Sequence, residues 1–285
     1  LPTNTIDSTR TDLPPLAVGD LLCAVILTYN EAAHISDCIA SVQWADAVLV
    51  FDSGSTDETV QLAQAAGARV VIHPFRNYAD QRDAALRACQ ARWVFFIDAD
   101  ERATPALAAE IRANLADPAM AAICGYWVPR HNFIMGRLTR GAGWYPDYQL
   151  RVMQPAHSRY DLTREVHELV ILDGPDAYLK APLIHYNYRD LRQFLLKQGK
   201  YTNFAVQEML NAGVRPKPQN YILQPIRHFW WRFWTLRGFR DGLHGLRLSV
   251  LMAWYELQKY LRLRRAWRNH DQRGAGNEPQ SRGKA

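Results

Sequence analysis

In the first hundred residues short apolar runs alternate with stretches of helical spacing, and the connections between them are only a few residues long. Residues 21–28, 47–51, 69–72 and 93–97 read as strands buried on both faces, since apolar residues fill consecutive positions and do not alternate. Helices are expected over 32–42, where Ile35, Cys38, Ile39 and Val42 share a face, over 59–66 with Gly67 as C-cap, and over 78–91. Strand and helix in strict alternation predict a parallel, doubly wound α/β sheet. Such a sheet gathers the ends of its strands at one edge, where open α/β folds bind ligands.

Four polar clusters fall at those strand ends: Thr28-Tyr29-Asn30-Glu31, the run from Asp52 to Asp57, Asp80-Gln81-Arg82, and the run from Asp98 to Glu101. The last is the most informative. Trp93 to Ile97 is wholly apolar and leads into Asp98 and Asp100, whose side chains at i and i+2 point the same way on an extended chain. Two carboxylates so placed need a cation or hydrogen-bond donors to offset their repulsion. The plainer reading is an acidic turn before a helix, with Asp100 or Thr104 as N-cap. Capping is likewise the job expected of Ser55, Thr56 and Asp57.

Beyond Pro118 the pattern changes. Strands are expected over 123–133, 148–153 and 183–188, with a Gly-rich aromatic loop over 136–146. From residue 191 the chain turns helical, over 191–211 and then 224–268 with breaks near Gly238, Gly242 and Gly245. This divides the chain into a flexible lead-in over 1–20, an α/β domain over 21–190, a helical region over 191–268 and a disordered tail over 269–285. The four cysteines are far apart with no Cys-x-x-Cys pair, which argues for free thiols in a reducing compartment.

These clusters resemble the family 2 glycosyltransferases of the GT-A fold, which carry Thr-Tyr-Asn-Glu after the first strand, Asp-Ser-Gly-Ser-Thr-Asp after the second and Asp-Ala-Asp at the fourth. Gly143 to Arg151, the Val166-His167-Glu168 stretch and Gly238 to Gly242 are similar to the subgroup that includes lipopolysaccharide-core β-glucosyltransferases. The resemblance covers roughly residues 20–265. It implies a Rossmann-like, mostly parallel GT-A sheet with a C-terminal amphipathic helical extension. It also implies an inverting, metal-dependent hexosyltransferase that takes sugar from a nucleotide donor, with UDP expected.

On that resemblance Thr28, Tyr29 and Glu31 would line the base and ribose, and Asp52 would accept a hydrogen bond from the base edge. Asp98 would hold ribose or a metal-bound water, while Asp100 and His167 would ligate Mn²⁺ or Mg²⁺, hard cations that favour oxygen donors. Arg82 would pair with the donor phosphates or with Asp98, and Arg151 would clamp the diphosphate. Trp144, in the aromatic loop, offers a face on which an acceptor sugar stacks. Inversion requires a carboxylate base, and Glu168 and Asp147 are the two candidates, with Glu168 favoured for its neighbour His167. Either could instead pair with an arginine. His185 reads as a core or edge histidine.

The C-terminal part has its own chemistry. From Pro225 onward there are thirteen Lys and Arg against four Asp and Glu, within a chain of net charge +6. Phe229, Trp230, Trp231, Phe233, Trp234, Leu236 and Phe239 sit among Arg227, Arg232, Arg237 and Arg240. Rings and guanidinium groups so interleaved suit a helix lying in a membrane interface. A lid packed on the sheet and a nucleic-acid surface are the alternatives, and the apolar content favours lipid over nucleic acid. The expected partners are a nucleotide-sugar, a glycan or glycolipid acceptor and an anionic membrane, with the enzyme on the cytoplasmic face. Two other functions use the same residues: a non-catalytic membrane or glycan adaptor, and a sugar-nucleotide nucleotidyltransferase, which would want a basic Gly-rich loop after the first strand.

Overall fold

Four apolar runs become the parallel half of the sheet. They are β1 (Leu22–Thr28), β2 (Ala47–Asp52), β3 (Arg69–Ile72) and β4 (Trp93–Asp98), alternating with α1 (Ile35–Val42), α2 (Thr59–Ala65) and α3 (Tyr78–Ala88). The computed structural model describes residues 22–162 and 170–275. Spatial order in this half is β3-β2-β1-β4, all parallel. The chain thus works outward from β1 through β2 to β3, then returns to β4 on the other side. The order reverses between β1 and β4, and registry sets Thr28 beside Asp52 and Leu27 beside Asp98 at the carboxyl ends.

Alternate residues of each strand serve opposite layers. Ala24, Ile26, Phe95 and Ile97 pack with Ile35 and Ile39 of α1 and with Leu107 and Ile111 of α4 (Pro105–Ala116). Cys23, Val25, Val94 and Phe96 pack with Ala79, Ala85 and Leu86 of α3. Each fully buried Ile or Phe contributes about 1.5–3 kcal/mol through the water it sheds. Thr104 caps α4, its hydroxyl accepting from the Leu107 amide at 3.1 Å. All four cysteines are buried free thiols, and burial pushes the Cys38 thiol far above its ordinary range.

The other half of the sheet is antiparallel where it joins the first. It comprises β5 (Glu101–Ala103), β6 (Gly125–Ile134), β7 (Arg137–Leu138), β8 (Tyr148–Met153), β11 (Asp176–Tyr178) and β12 (Leu183–Tyr188), while β9 (Ser158–Tyr160) and β10 (Val170–Leu172) form a separate pair. β8 runs antiparallel to both β4 and β6, and β5 pairs antiparallel with β12. Strands β5, β9, β10 and β11 have three residues each, too few to carry a readable alternation, and the sequence reading passes over them.

The chain forms two compact units. One runs to His131 and resumes over Asp147–His185; the other takes Asn132–Pro146 and everything from Tyr186. The aromatic loop therefore belongs with the C-terminal helices, a division that a cut of the sequence at residue 190 does not make. In this second unit α5 (Leu191–Asn211) packs on α7 (Gly242–Ala275) through Val206, Tyr260 and Leu263, and through Phe194 and Tyr255. Between them lie α6 (Asn220–Trp230), a π-turn over Trp231–Thr235 and a 3₁₀ turn over Gly238–Asp241. α7 extends to Ala275, past the expected helical end at 268. Among the described residues no helix is long and apolar enough to cross a membrane.

Two glycines hold this unit together by having no side chain. A Cβ on Gly245 would lie 1.9 Å from the Gly238 carbonyl oxygen, and one on Gly141 would lie 2.3 Å from that of Arg237. Gly199, inside α5, meets nothing within 4 Å. Gly245→Ala is therefore expected to destabilise the second unit by about 1–3 kcal/mol. Gly199→Ala, by contrast, should stabilise it by about 0.5–1 kcal/mol. Urea titrations followed by tryptophan fluorescence measure both.

Candidate active site

The loops after β1 and β2 are laced together before any ligand is considered. Asp52 is fully buried and accepts hydrogen bonds from the Thr28 hydroxyl (2.9 Å), the Gly54 and Ser55 amides (2.9 and 2.7 Å) and the Ser55 hydroxyl (2.5 Å). The Ser55 hydroxyl in turn accepts from the Asn30 amide at 2.8 Å. Asn30 sits at φ 55°, a left-handed conformation that asparagine tolerates, and its side-chain oxygen accepts from the Thr56 amide at 2.8 Å. Asp57 receives the Thr59 amide and hydroxyl at the start of α2 and the Ala32 amide, and Thr59 accepts from the Glu31 amide. The N-cap position of α2 is Glu58, which makes no side-chain cap bond; Asp57, one residue earlier, ties the first helical residue to the loop after β1, and Ser55 and Thr56 bind that loop as well. Tyr29, between these anchors, is 59% exposed.

At the end of β4 a chain of ion pairs begins. Asp98 accepts from the Arg82 guanidinium at 3.0 Å on one oxygen and from Arg151 at 2.6 Å on the other. Asn77 caps α3 through the Asp80 amide, which fixes the helix turn that carries Arg82. Arg151, on β8 and nearly fully buried, also reaches Glu101 at 2.7 Å. Glu101 is itself fully buried and accepts from the Asp98 amide (2.9 Å) and from Arg130 (3.3 Å). Arg130, on β6, grips Asp147 through Nε (2.9 Å) and Nη2 (2.8 Å), and Gln149 adds a bond to the other Asp147 oxygen at 2.9 Å.

Three carboxylates and three guanidinium groups therefore alternate along one chain. Burial opposes charge on Asp98, but Arg151 and then Arg82 outweigh it and hold the carboxyl far below the usual range. Burial likewise opposes charge on Arg151, and Asp98 with Glu101 more than restores it, leaving the guanidinium charged at every accessible pH.

Asp100 stands beside this chain. Its side chain keeps 22% of its exposure and lies 3.7 Å from His185 Nε2. The pairing of β5 with β12, which sets His185 opposite Glu101, creates that proximity. The histidine read as a core or edge residue thus lies beside one member of the acidic pair. Among the described residues no three His, Cys, Asp or Glu side chains gather as a metal cage. A carboxylate oxygen and an imidazole nitrogen do fit a divalent cation that takes its remaining ligands from substrate phosphates, as Mg²⁺ sites usually do. His167 and Glu168 lie outside the described residues.

Thr28, Asp52, Arg82, Asp98, Asp100, Asp147 and Arg151 all belong to the first unit, as do Tyr29 and Glu31. Trp144 belongs to the second, where its ring meets Tyr188 edge-on at 5.7 Å and its backbone oxygen accepts from Asn132 at 3.0 Å. Sequence reasoning gave no site role to Glu101 or Arg130. Glu101 had a signal, as the third acid in a run of four residues that ends a buried strand. Arg130 had none, because its partners come from distant strands.

Residues 23–165 match the family described as Glycosyl transferase family 2. The chain is 31% identical over 245 residues to the lipopolysaccharide core biosynthesis glycosyltransferase LpsC of Rhizobium meliloti (strain 1021), covering 82% of this chain and 88% of that one. It is 28% identical over 254 residues to an uncharacterized glycosyltransferase of Rickettsia bellii (strain RML369-C), covering 85% and 86%. Among solved structures it is similar to glucosyl-3-phosphoglycerate synthase of Mycobacterium tuberculosis in complex with Mn²⁺, UDP and glucosyl-3-phosphoglycerate. That likeness has a TM-score of 0.44 and 22% identity, over 71% of this chain and 83% of the other. The protein is an enzyme, a nucleotide-sugar-dependent glycosyltransferase with a GT-A-like α/β fold. Within that class the chain belongs to glycosyltransferase family 2, which sets the nucleotidyltransferase alternative aside.

The ion-pair chain gives a stability prediction with a definite pH dependence. Arg151→Met leaves the buried Glu101 short of its closest cation and should cost about 3–5 kcal/mol at pH 7. Asp98 has a depressed folded pKa, so its contribution is fully present above its unfolded value of about 4 and is lost as pH falls below that. The gap between wild type and variant should therefore hold from pH 8 to 5 and narrow below pH 4, as denaturant titrations at each pH measure.

Proposed function

We propose that this enzyme transfers a hexose from a UDP-sugar, with inversion, to a lipopolysaccharide-core or other lipid-linked glycan acceptor. The observation that carries the donor site is topological: Thr28, Asp52 and Asp98 end three neighbouring parallel strands where the strand order reverses, the crevice that α/β sheets use for nucleotides. The acceptor class is supported by the similarity to LpsC, a lipopolysaccharide core biosynthesis glycosyltransferase.

In this reading Thr28, Tyr29 and Glu31 meet the base and ribose, with exposed Tyr29 offering its ring. Asp52 acts on the donor by holding Thr28 and the Gly54–Ser55 turn in place, because its oxygens already accept four bonds. Asp98 presents a permanently ionised carboxylate to the ribose. Arg151 is a positioning residue that keeps Asp98 charged and aimed, and Arg82, also on Asp98, lies nearer solvent and turns toward the diphosphate. Asp100 with a histidine, His185 or His167, would hold Mn²⁺ or Mg²⁺, which when bound offsets charge on the departing diphosphate.

The acceptor hydroxyl must lose its proton as the new bond forms at the anomeric carbon, on the face opposite the diphosphate. Asp147 is committed to Arg130 and Gln149, so Glu168 is the proposed base. Trp144 is the proposed acceptor contact, its ring stacking on a sugar face. The enzyme would work at the cytoplasmic face of the membrane that holds its acceptor.

Two experiments decide these roles. At a concentration about 100 times its dissociation constant, UDP with Mn²⁺ should stabilise the wild type by about 2.7 kcal/mol in thermal-shift assays. Asp100→Asn should lose the Mn²⁺-dependent part of that shift, and GDP or CDP should give little. Glu168→Gln should keep the full UDP shift yet lower kcat by about 10²–10⁴, while Asp147→Asn should lower kcat much less. The reverse ranking would reassign the base.

A further inference from the structure

The side chains of α6 and the turns after it are arranged for a surface that water does not satisfy. Ile222, Leu223, Ile226 and Trp230 are all more than half exposed, and their spacing lines them along one side of the helix. None of the eleven residues of α6 is buried. The π-turn carries this stripe onward. Trp230 and Trp234 are 5.7 Å apart by ring centroid, Trp234 and Phe239 are 5.8 Å apart, and Phe233 touches both Phe229 and Phe239. Leu243, at the start of α7, is 70% exposed. A contiguous apolar strip of this kind on one protein marks an interaction surface.

The arginines flanking the strip are not equivalent. Arg227, Arg237, Arg240 and Arg247 are exposed. Arg232 turns inward instead. It donates to the Ala142 carbonyl (2.5 Å) and to His228 Nε2 (2.8 Å), and lies 6.0 Å from the Trp144 ring centroid. Burial, followed by Arg232 itself, pushes His228 down to about 4, so the imidazole is neutral and able to accept that bond. Arg232 therefore ties the aromatic strip to the Gly141–Trp144 loop, a contact reinforced where the Ala142 amide meets the Leu236 carbonyl at 2.8 Å.

We propose that the strip from Ile222 to Leu243 is an interfacial docking surface for an anionic phospholipid bilayer, with Arg227, Arg237 and Arg240 meeting lipid phosphates and Arg232 holding the strip to the Trp144 loop. This deepens the reading of a lipid-linked acceptor and rests on it. The residues from Asn220 to Leu243 contain one acid, Asp241, and its two oxygens already accept from the Arg140 amide. A second copy of the chain docked face to face would set four arginines against four with only that engaged carboxylate among them. A nucleic acid would leave Ile222, Leu223 and Ile226 without stacking work. A bilayer interface takes the aliphatic residues into its acyl boundary, the indole rings at headgroup depth and the guanidinium groups at phosphates.

The test uses the full chain with vesicles of phosphatidylcholine containing about one-third phosphatidylglycerol, and with phosphatidylcholine alone. Wild type should sediment with the mixed vesicles at least about tenfold more tightly than with the neutral ones. Lipids brominated near the acyl boundary should quench its tryptophan fluorescence, and Trp230→Phe with Trp234→Phe should remove most of that quenching. Ile222→Ser with Ile226→Ser should weaken sedimentation about tenfold or more while leaving the circular-dichroism melt in place. No sedimentation of wild type, an unaffected Ile222/Ile226 variant, or a solution dimer that the same variant dissociates would each overturn the proposal. Hydrolysis of UDP-sugar by wild type without vesicles, measured alongside, separates this outcome from failure of the transferase reading.

Discussion

Asp98 is the group on which the rest of the first unit turns. It ends a strand whose other residues are apolar and buried, so its charge arrives at the rim of a dry core. The fold meets that cost with two guanidinium groups from different directions, Arg82 from a helix and Arg151 from an antiparallel strand. A single cation in that place would itself need a second anion, and Glu101 supplies one from the very next strand. The alternation continues to Arg130 and Asp147. Removing one member leaves its neighbour buried with an uncompensated charge, whereas the intact chain is balanced, so the arrangement specifies one mutual position for β4, β5, β6 and β8.

That balance has a consequence for catalysis. A nucleotide-sugar brings the charge of a diphosphate, and Arg151 cannot turn to it without exposing Glu101 and Asp98 to each other. In the proposed donor reading, the positive charge that meets the diphosphate would come from Arg82 and from a cation that Asp100 with a histidine would hold. On the family resemblance Arg151 is expected to clamp the diphosphate. Its commitment to two carboxylates, Asp98 and Glu101, fits instead a residue that sets the carboxylate at the strand end.

The parallel half of the fold was legible because its strands are largely apolar runs and the helical spacing between them is clear, though α1 begins at Ile35 and not 32 and α3 ends at Ala88 and not 91. Boundaries at 69–72, 148–153, 183–188 and 191–211 coincide with those observed. What escaped was non-local. β5 is three residues long and exists because β12 pairs with it, and the same pairing carries His185 to Asp100. Likewise the lack of side chains at Gly141 and Gly143 permits contact with Arg237, Leu236 and Arg232, close approaches within the second unit that no local spacing announces. Asp52 was legible as an acid at a strand end but not as a fully bonded one, since bonds from Thr28, Gly54 and Ser55 converge on it.

The second unit poses a different physical problem. A helix of eleven residues with nothing buried is marginal in water, because nucleation costs more than so few hydrogen bonds return. α6 persists because it lies along α7, with Tyr221 packed against the Val206, Tyr260 and Leu263 cluster, and because its last turn is fastened to the Ala142 loop through Arg232. Arg232, one of the four arginines expected at a lipid interface, is the one that turns inward and fastens the rest. The exposed rings it leaves facing outward are then rigidly presented, and a rigid amphipathic surface loses less entropy on meeting an interface than one that must fold there. The same arginine lies 6.0 Å from the Trp144 ring centroid, so the aromatic strip and the ring proposed for the acceptor sugar are held by one guanidinium within the second unit.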